Sequence, residues 1–337
     1  MTSSLTGRLA PSPTGAQHVG NARTYLVAWL AARSAGGRVV LRIEDIDSPR
    51  IKPWATQQAL EDLRWFGLDW DEGPDVGGPH GPYLQTERRE LYIAALQQLQ
   101  RAERVYPCTC SRSDVLAAAS APHVGQDGPV YPAICASRCS ADAMSLPPGS
   151  FCWRYRLDTL EDGYHDLVQG RIACQPACQL GDFALFKADG TPSYQLAVVV
   201  DDAAMGISQV VRGEDLIPST FRQRAIARDL GLPAPAVGHV PLVIGEDGRR
   251  LAKRHGDTRI AVLREQKHDS RRLVGFLAQS LGLIEVAEPI TPRELLAEFD
   301  WQKMARNPFV LTSRHWNWLQ DDPPRISDLY QSNNPID

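Results

Sequence analysis

The chain has 337 residues, 43% of them hydrophobic and 23% charged, with a formal net charge of −4. That length suffices for one large or two medium domains with a real core, and no apolar run reaches the ~20 residues that a membrane helix needs. The acidic balance gives no support for a uniformly basic nucleic-acid binder, although Arg222, Arg224 and Arg228, then Arg249, Arg250, Lys253 and Arg254, form local basic clusters.

In chain order, the start Met1-Thr-Ser-Ser-Leu-Thr-Gly-Arg8 lacks the basic-then-apolar order of a secretory signal, so a cytoplasmic protein is expected. Ala22 to Ala35 carries Leu26, Trp29, Leu30 and Arg33 at helical spacing. The β-branched run from Val39 to Asp45, bounded by Gly36-Gly37 and Ser48-Pro49, predicts a buried strand. A helix is predicted over Thr86 to Ala102, with Leu91, Ala95, Leu96 and Leu99 on one face. Strand, helix and strand in succession imply an α/β fold with a parallel sheet and right-handed crossovers.

Residues 106–150 have a different character. They hold four of the seven cysteines, several Pro and Gly and little periodicity, and read as an insertion held by something other than a core. From Phe151 to Val243 the α/β pattern resumes. Ser193 to Val200 and Ile207 to Val211 are predicted strands, and Ser219 to Leu230 a helix closed by Gly231. The tail, residues 260–337, is predicted helical, with a stripe of Leu273, Phe276, Leu277 and Leu281. Within it, Thr291-Pro-Arg-Glu294 is a capping-box pattern with Pro at the first helical position.

Two segments carry phosphate chemistry. Arg8-Leu-Ala-Pro-Ser-Pro-Thr-Gly-Ala-Gln-His-Val-Gly-Asn21 fixes a turn and then opens a helix, whose N-terminus suits phosphates. Gly20 lets a nucleotide approach the backbone, and His18 can donate to a reacting α-phosphate. Far along the chain, Gly248-Arg-Arg-Leu-Ala-Lys-Arg-His-Gly256 is a glycine-flanked loop centred on Lys253, a point charge suited to a departing pyrophosphate. Either segment alone reads as an ordinary capped turn or a solvated basic loop.

Together they resemble the His-x-Gly-x motif and lysine loop of class I aminoacyl-tRNA synthetases. Arg8 to Asn21, with Arg42-Ile-Glu-Asp-Ile-Asp47, is similar to the glutamyl-tRNA synthetase group, over about residues 7 to 260. The resemblance implies a Rossmann-like, doubly wound catalytic domain in two halves, 1–105 and 151–259. A zinc-bearing insertion at 106–150 separates them, and a short helical domain follows at 260–337. It implies an ATP site formed by Pro11, Thr14, Gly15, His18, Gly20, Asn21, Leu251 and Lys253, with His18 and Lys253 catalytic and Mg²⁺ accompanying ATP. For L-glutamate it implies Arg8, Ala10, Ser12, Glu44, Tyr194 and Arg212, with Glu44 facing the ammonium group and Arg212 a bidentate carboxylate partner. The bland alternatives are a surface strand charge for Glu44 and a salt bridge to Glu214 or Asp215 for Arg212.

Cys108, Cys110, Cys135 and Cys139 in a poorly periodic insert point to tetrahedral zinc, and metal chemistry alone would choose all four thiolates. The spacing Cys-x-Cys…Tyr-x-x-x-Cys instead resembles the zinc site of the short glutamyl-queuosine tRNA(Asp) synthetases in this group, which implies Cys108, Cys110, Tyr131 and Cys135. Cys152, Cys174 and Cys178 read as structural, with Cys174 and Cys178 a weaker metal pair. With 78 residues after residue 259, no full anticodon-reading region is expected. Tyr194 to Asp202 and Val211 to Leu216 also look like those short paralogues, so the expected partner is tRNA(Asp) carrying queuosine, for a monomeric ligase. Lys253 to Gly256 looks more like the full-length enzymes, and Ala252 stands where Ser is usual. Two alternatives remain: a truncated glutamyl-tRNA synthetase charging tRNA(Glu), and a non-catalytic tRNA-binding paralogue.

Overall fold

The computed structural model describes residues 5–13, 17–46, 51–52, 54–111, 113–115, 130–249, 251 and 258–320. Strand β1 (Thr6–Leu9) leads through a loop into helix α1 (Val19–Ser34), and the chain returns as β2 (Arg38–Leu41), parallel to β1 with Leu9 opposite Leu41. Helices α2 (Ala55–Trp65) and α3 (Arg89–Arg101) follow, the latter preceded by a 3₁₀ turn at Gln85–Arg88. Next come β3 (Val105–Cys108), β4 (Cys152–Tyr155), β5 (Asp162–Asp166), β6 (Gly170–Cys174) and β7 (Phe183–Phe186). The second half holds α4 (Tyr194–Ala204), β8 (Gln209–Gly213), α5 (Ile217–Leu230) and β9 (Ala236–Val240).

Strands β8 and β9 are parallel, with Arg212 opposite His239, and β5 joins β9 in parallel at Asp166 and Val237. The Ser208 N–H donates to the Thr6 carbonyl at 2.9 Å, which brings β1 beside β8. Side chains alternate across these strands. Val39, Leu41, Val211 and Val240 join a cluster with α1, while Val40, Val210 and Val237 pack on the other face with Met205 and Ile207. Burial on both faces is what a parallel sheet between helix layers requires. Helix α1 is buried around most of its circumference, from Val19 to Ala32. Even Arg23 is sealed in, donating to the carbonyls of Pro241 at 2.6 Å and Ser280 at 2.9 Å. The expected α/β fold with a parallel sheet is therefore present.

Strands β3, β4 and β7 form a separate antiparallel sheet, so the cysteine-rich segment is an excursion between two paired strands. The tail contains α6 (Ile260–Glu265), α7 (Ser270–Ser280), α8 (Ser313–Gln320) and β11 (Phe309–Val310), which pairs in parallel with β10 (Val243–Ile244) from the preceding segment. Leu273, Phe276, Leu277 and Leu281 are buried as expected and share one cluster with Leu9, Leu26 and Leu30. Gly275 lets the backbone around Glu288 cross α7, since a Cβ there would lie 1.8 Å from the Glu288 carbonyl oxygen. No helix among the described residues is long and apolar enough to cross a membrane.

Several expectations are corrected. Ser193 to Val200 is not a strand; it opens α4, with Leu196 through Asp202 buried in succession. An element covered on all sides shows no polar stripe, so its apolar run reads the same in either periodicity. The strand expected at Ile207 to Val211 begins and ends two residues later. Leu91 is 42% exposed, and Tyr92 takes its place on the inner face of α3. The Thr291 box forms, with the Thr291 N–H donating to the Glu294 carboxylate at 2.9 Å, but it opens only a 3₁₀ turn, Glu294–Ala297.

Candidate active site

The carboxyl ends of β1, β2 and β8 and the start of α1 enclose a cleft of about 500 Å³. Parallel sheets place ligands at this edge because the strand-to-helix loops converge there. Arg8, Ala10, Ser12, His18, Gly20, Asn21, Glu44, Tyr194 and Arg212 all line it. Pro11 lies behind the lining, its carbonyl accepting from the Glu44 N–H at 3.0 Å, and buried Leu251 donates to the Val243 carbonyl at 3.4 Å. Thr14, Gly15 and Lys253 lie outside the described residues.

His18 is the N-cap of α1. Its Nδ1 accepts from the Gly20 N–H at 3.1 Å, while its own N–H donates to the Asn21 side-chain oxygen at 3.1 Å. With Nδ1 an acceptor, the neutral ring carries its proton on Nε2. A Cβ on residue 20 would stand 3.0 Å from the His18 ring, so glycine is what allows this arrangement.

One wall holds a buried charge network. Arg42, fully buried, donates to Asp202 at 2.7 Å and to Glu44 at 3.0 Å. Arg8 lies 3.5 Å from Asp202, and Arg88 donates to Asp201 at 2.6 Å. Tyr92 and Gln85 complete the Asp201 shell at 2.9 and 2.8 Å. Burial would lower the Arg42 pKa, but Asp202, Glu44 and Asp201 outweigh it and hold the guanidinium charged. Burial raises the Glu44 carboxyl, with Arg42 and Arg8 opposing. Glu44 is thus no surface strand charge.

The opposite wall is built differently. Arg212 donates to His239 Nε2 at 3.2 Å, Thr220 Oγ1 at 2.7 Å, Gln223 Oε1 at 2.8 Å and the Tyr194 hydroxyl at 3.4 Å. All four partners are neutral, and among the described residues no carboxylate lies within ion-pair distance of this guanidinium. The salt bridge to Glu214 or Asp215 is absent, and Glu214 instead accepts from the Leu242 N–H at 2.8 Å. Of five guanidinium N–H groups, only one on Nη2 is uncommitted, so bidentate capture requires one partner to yield.

Sequence reasoning missed Gln17, Tyr25 and Asp215 in the lining and His239 behind it. The Tyr25 hydroxyl donates to Gln17 Oε1 at 2.8 Å. Only the spacing of Tyr25 from His18, two turns along α1, could have indicated it.

A second cluster lies in the insertion. The ligating atoms of Cys108, Cys110 and Cys135 fall within 4.8 Å of one another. The Tyr131 oxygen sits 3.3 Å from Cys108 Sγ and 3.6 Å from Cys110 Sγ, and accepts from the Cys135 N–H at 2.9 Å. Cys139 is exposed and apart, so geometry gathers Tyr131 rather than Cys139. A hydrogen bond from Cys152, aided by Tyr131 and Arg154, pulls the Cys108 thiol down to about 3 against burial. Burial pushes Cys110 up to about 11. The Arg154 guanidinium stacks 3.7 Å from the Tyr131 ring centre. Cys174 instead donates to Gln179 Oε1 at 3.0 Å, and neither it nor Cys178 joins a metal-capable group among the described residues.

Residues 4–316 match the family model of class I tRNA synthetases (E and Q), catalytic domain. A glutamyl-Q tRNA(Asp) synthetase of Symbiobacterium thermophilum is 51% identical over 310 residues, covering 90% of this chain and 95% of the relative. One of Rhodopirellula baltica is 49% identical over 331 residues, covering 92% and 98%. Among solved structures, a glutamate-tRNA synthetase from Elizabethkingia anophelis superposes with a TM-score of 0.78 at 27% identity, covering 94% of this chain and 70% of that one. The cleft at the sheet edge, the His18-capped helix and these matches together show that the chain belongs to the class I tRNA synthetases of the glutamate and glutamine type.

Proposed function

We propose that the chain activates L-glutamate with ATP and transfers the glutamyl group to queuosine in the anticodon of tRNA(Asp). The observation that carries the reading is the pairing of opposite needs in one cleft. Glu44 offers a carboxylate on one wall and Arg212, on the other, a cation with no carboxylate within ion-pair distance among the described residues. An amino acid with a side-chain carboxylate supplies both complements, its ammonium group to Glu44 and its side chain to Arg212 and Tyr194. Arg8, Ala10 and Ser12 line the same cleft and close the pocket around it.

In the first step the glutamate α-carboxylate attacks the ATP α-phosphorus in line. The new O–P bond forms as the bond to the β-phosphate oxygen breaks, giving glutamyl-AMP and pyrophosphate. His18 Nε2–H donates to the non-bridging oxygens as charge accumulates, while the N-terminus of α1 faces the phosphates. Lys253 follows the departing pyrophosphate, and Mg²⁺ travels with ATP. A hydroxyl of the tRNA then attacks the activated carbonyl and releases AMP.

The cysteine cluster fits zinc. The Cys110–Cys135 sulfur separation of 3.6 Å is close to the edge of a tetrahedron with ~2.3 Å Zn–S bonds, about 3.8 Å. Cys108, Cys110, Cys135 and Tyr131 would hold the ion, which would close a segment that has little core of its own. The expected domain boundaries, including the insertion at 106–150 and the helical tail from 260, belong to the same reading.

Glutamylation of purified tRNAs tests the acceptor. Radiolabelled glutamate should pass to tRNA(Asp) carrying queuosine and not to the same tRNA lacking it. Charging of tRNA(Glu) instead would favour a truncated glutamyl-tRNA synthetase, and transfer to neither would favour a binding paralogue.

A further inference from the structure

His239 is fully buried, does not line the cleft and has no role in the chemistry above. Its ring nevertheless joins three neighbouring strands at their carboxyl ends. Nδ1 stands 2.5 Å from Asp166 Oδ2 on β5, and Nε2 stands 3.2 Å from Arg212 Nε on β8. Resting on the reading of Arg212 as the side-chain carboxylate partner, we infer that His239 and Asp166 are positioning residues. They set the orientation of that guanidinium and with it the discrimination of glutamate from glutamine.

The proton positions are over-determined. Asp166 accepts backbone N–H groups from Val168 at 2.9 Å, Gln169 at 2.9 Å and His239 at 3.1 Å. Burial works against ionisation of Asp166, but these bonds and the His239 ring outweigh it, so the group is a carboxylate and Nδ1 must donate. Nε2 is then a bare acceptor, as the Arg212 Nε–H requires. Thr220 Oγ1, which accepts from Arg212 Nη2 at 2.7 Å, lies 3.2 Å from His239 Nε2 and is compatible with this tautomer. A proton on Nε2 would break the Arg212 Nε–H contact and set a cation against a cation. The ring nitrogen that meets a functional group is governed by what the other nitrogen contacts, and here that contact is Asp166.

The test compares His239→Leu with His239→Gln, whose side-chain oxygen can accept from Arg212, in glutamate-dependent ATP–pyrophosphate exchange. His239→Leu should raise the KM for glutamate about tenfold or more and narrow the preference over glutamine similarly, with the KM for ATP unchanged. His239→Gln should recover most of the loss. Equal shifts in both KM values, a change in kcat alone, or no difference between the variants would overturn the inference. Should His239→Leu fail to fold, ¹⁵N NMR of the wild-type imidazole decides: Nδ1 protonated and Nε2 bare supports the inference, and a proton on Nε2 overturns it. A wild-type chain with no glutamate-dependent exchange would defeat the functional reading itself. Wild-type exchange with an indifferent His239→Leu would defeat only this inference.

Discussion

On the wall that carries Glu44, buried guanidinium groups of Arg8, Arg42 and Arg88 meet the carboxylates of Glu44, Asp201 and Asp202, whereas on the facing wall the partners of Arg212 among the described residues are neutral side chains. The first wall is internally neutral and needs every member, because removing one partner leaves a buried charge uncompensated. On the second, the Asp166 carboxylate is reached only through the His239 ring, so among the described residues Arg212 has no direct counter-charge and an incoming anion can supply one. The contrast separates a wall of paired charges that presents Glu44 at the cleft from a wall whose arginine is left for a ligand, although both are built from buried arginine.

Breaking the neutral wall should have the largest effect. Arg42→Met strips the counter-charge from Asp202 and Glu44 and should destabilise the fold by about 3–5 kcal/mol, read from urea unfolding. Arg212→Gln should behave in the opposite manner. Its unfolding midpoint should stay near wild type, while kcat/KM for glutamate drops by about 2–5 kcal/mol, roughly thirtyfold to several thousandfold, with the KM for ATP unmoved.

A smaller effect comes from pH. Burial, with help from Arg212, lowers the His239 pKa below 6.5 against the pull of Asp166, and Asp215 and Tyr164 are the other ionisable groups near the ring. Between the folded value and 6.5 the unfolded chain binds more protons, so stability falls as pH drops through that window. Unfolding midpoints measured across the window should decline toward acid in wild type and flatten in His239→Gln. The smallest expected effect lies outside the cleft. For the proposed zinc site, treatment with a chelator, or Cys135→Ser, should lower the melting temperature and abolish bound metal in elemental analysis, yet leave the KM for glutamate within about twofold, since the cysteine cluster lies on other elements than the cleft.

Much of the cleft could be read from the sequence because its parts sit in short continuous runs. His18, Gly20 and Asn21 form one helix start, Glu44 follows the end of β2, and Arg212 lies next to the last residue of β8. What could not be read depends on contacts between distant residues. Asp166 and His239 meet Arg212 only through the β5-β9-β8 order of the sheet. The same limit explains α4, whose burial by α3 and α5 erased the polar face that would have marked a helix. It also explains Asp201 and Asp202, just past the expected strand, whose role as inner anchors of Arg42 and Arg88 no local pattern marks. Tyr131 was legible only through its resemblance to a known zinc pattern, because thiolate chemistry alone favours Cys139.

The cleft's unequal walls are tested most directly by ATP–pyrophosphate exchange on the purified chain without any RNA. Glutamate should drive exchange, while glutamine, which lacks the charge that Arg212 awaits, and aspartate, one methylene short, should drive little. Equal exchange with all three amino acids, or none with glutamate, would contradict the assignment of Arg212 and Glu44 as opposite ends of a glutamate site.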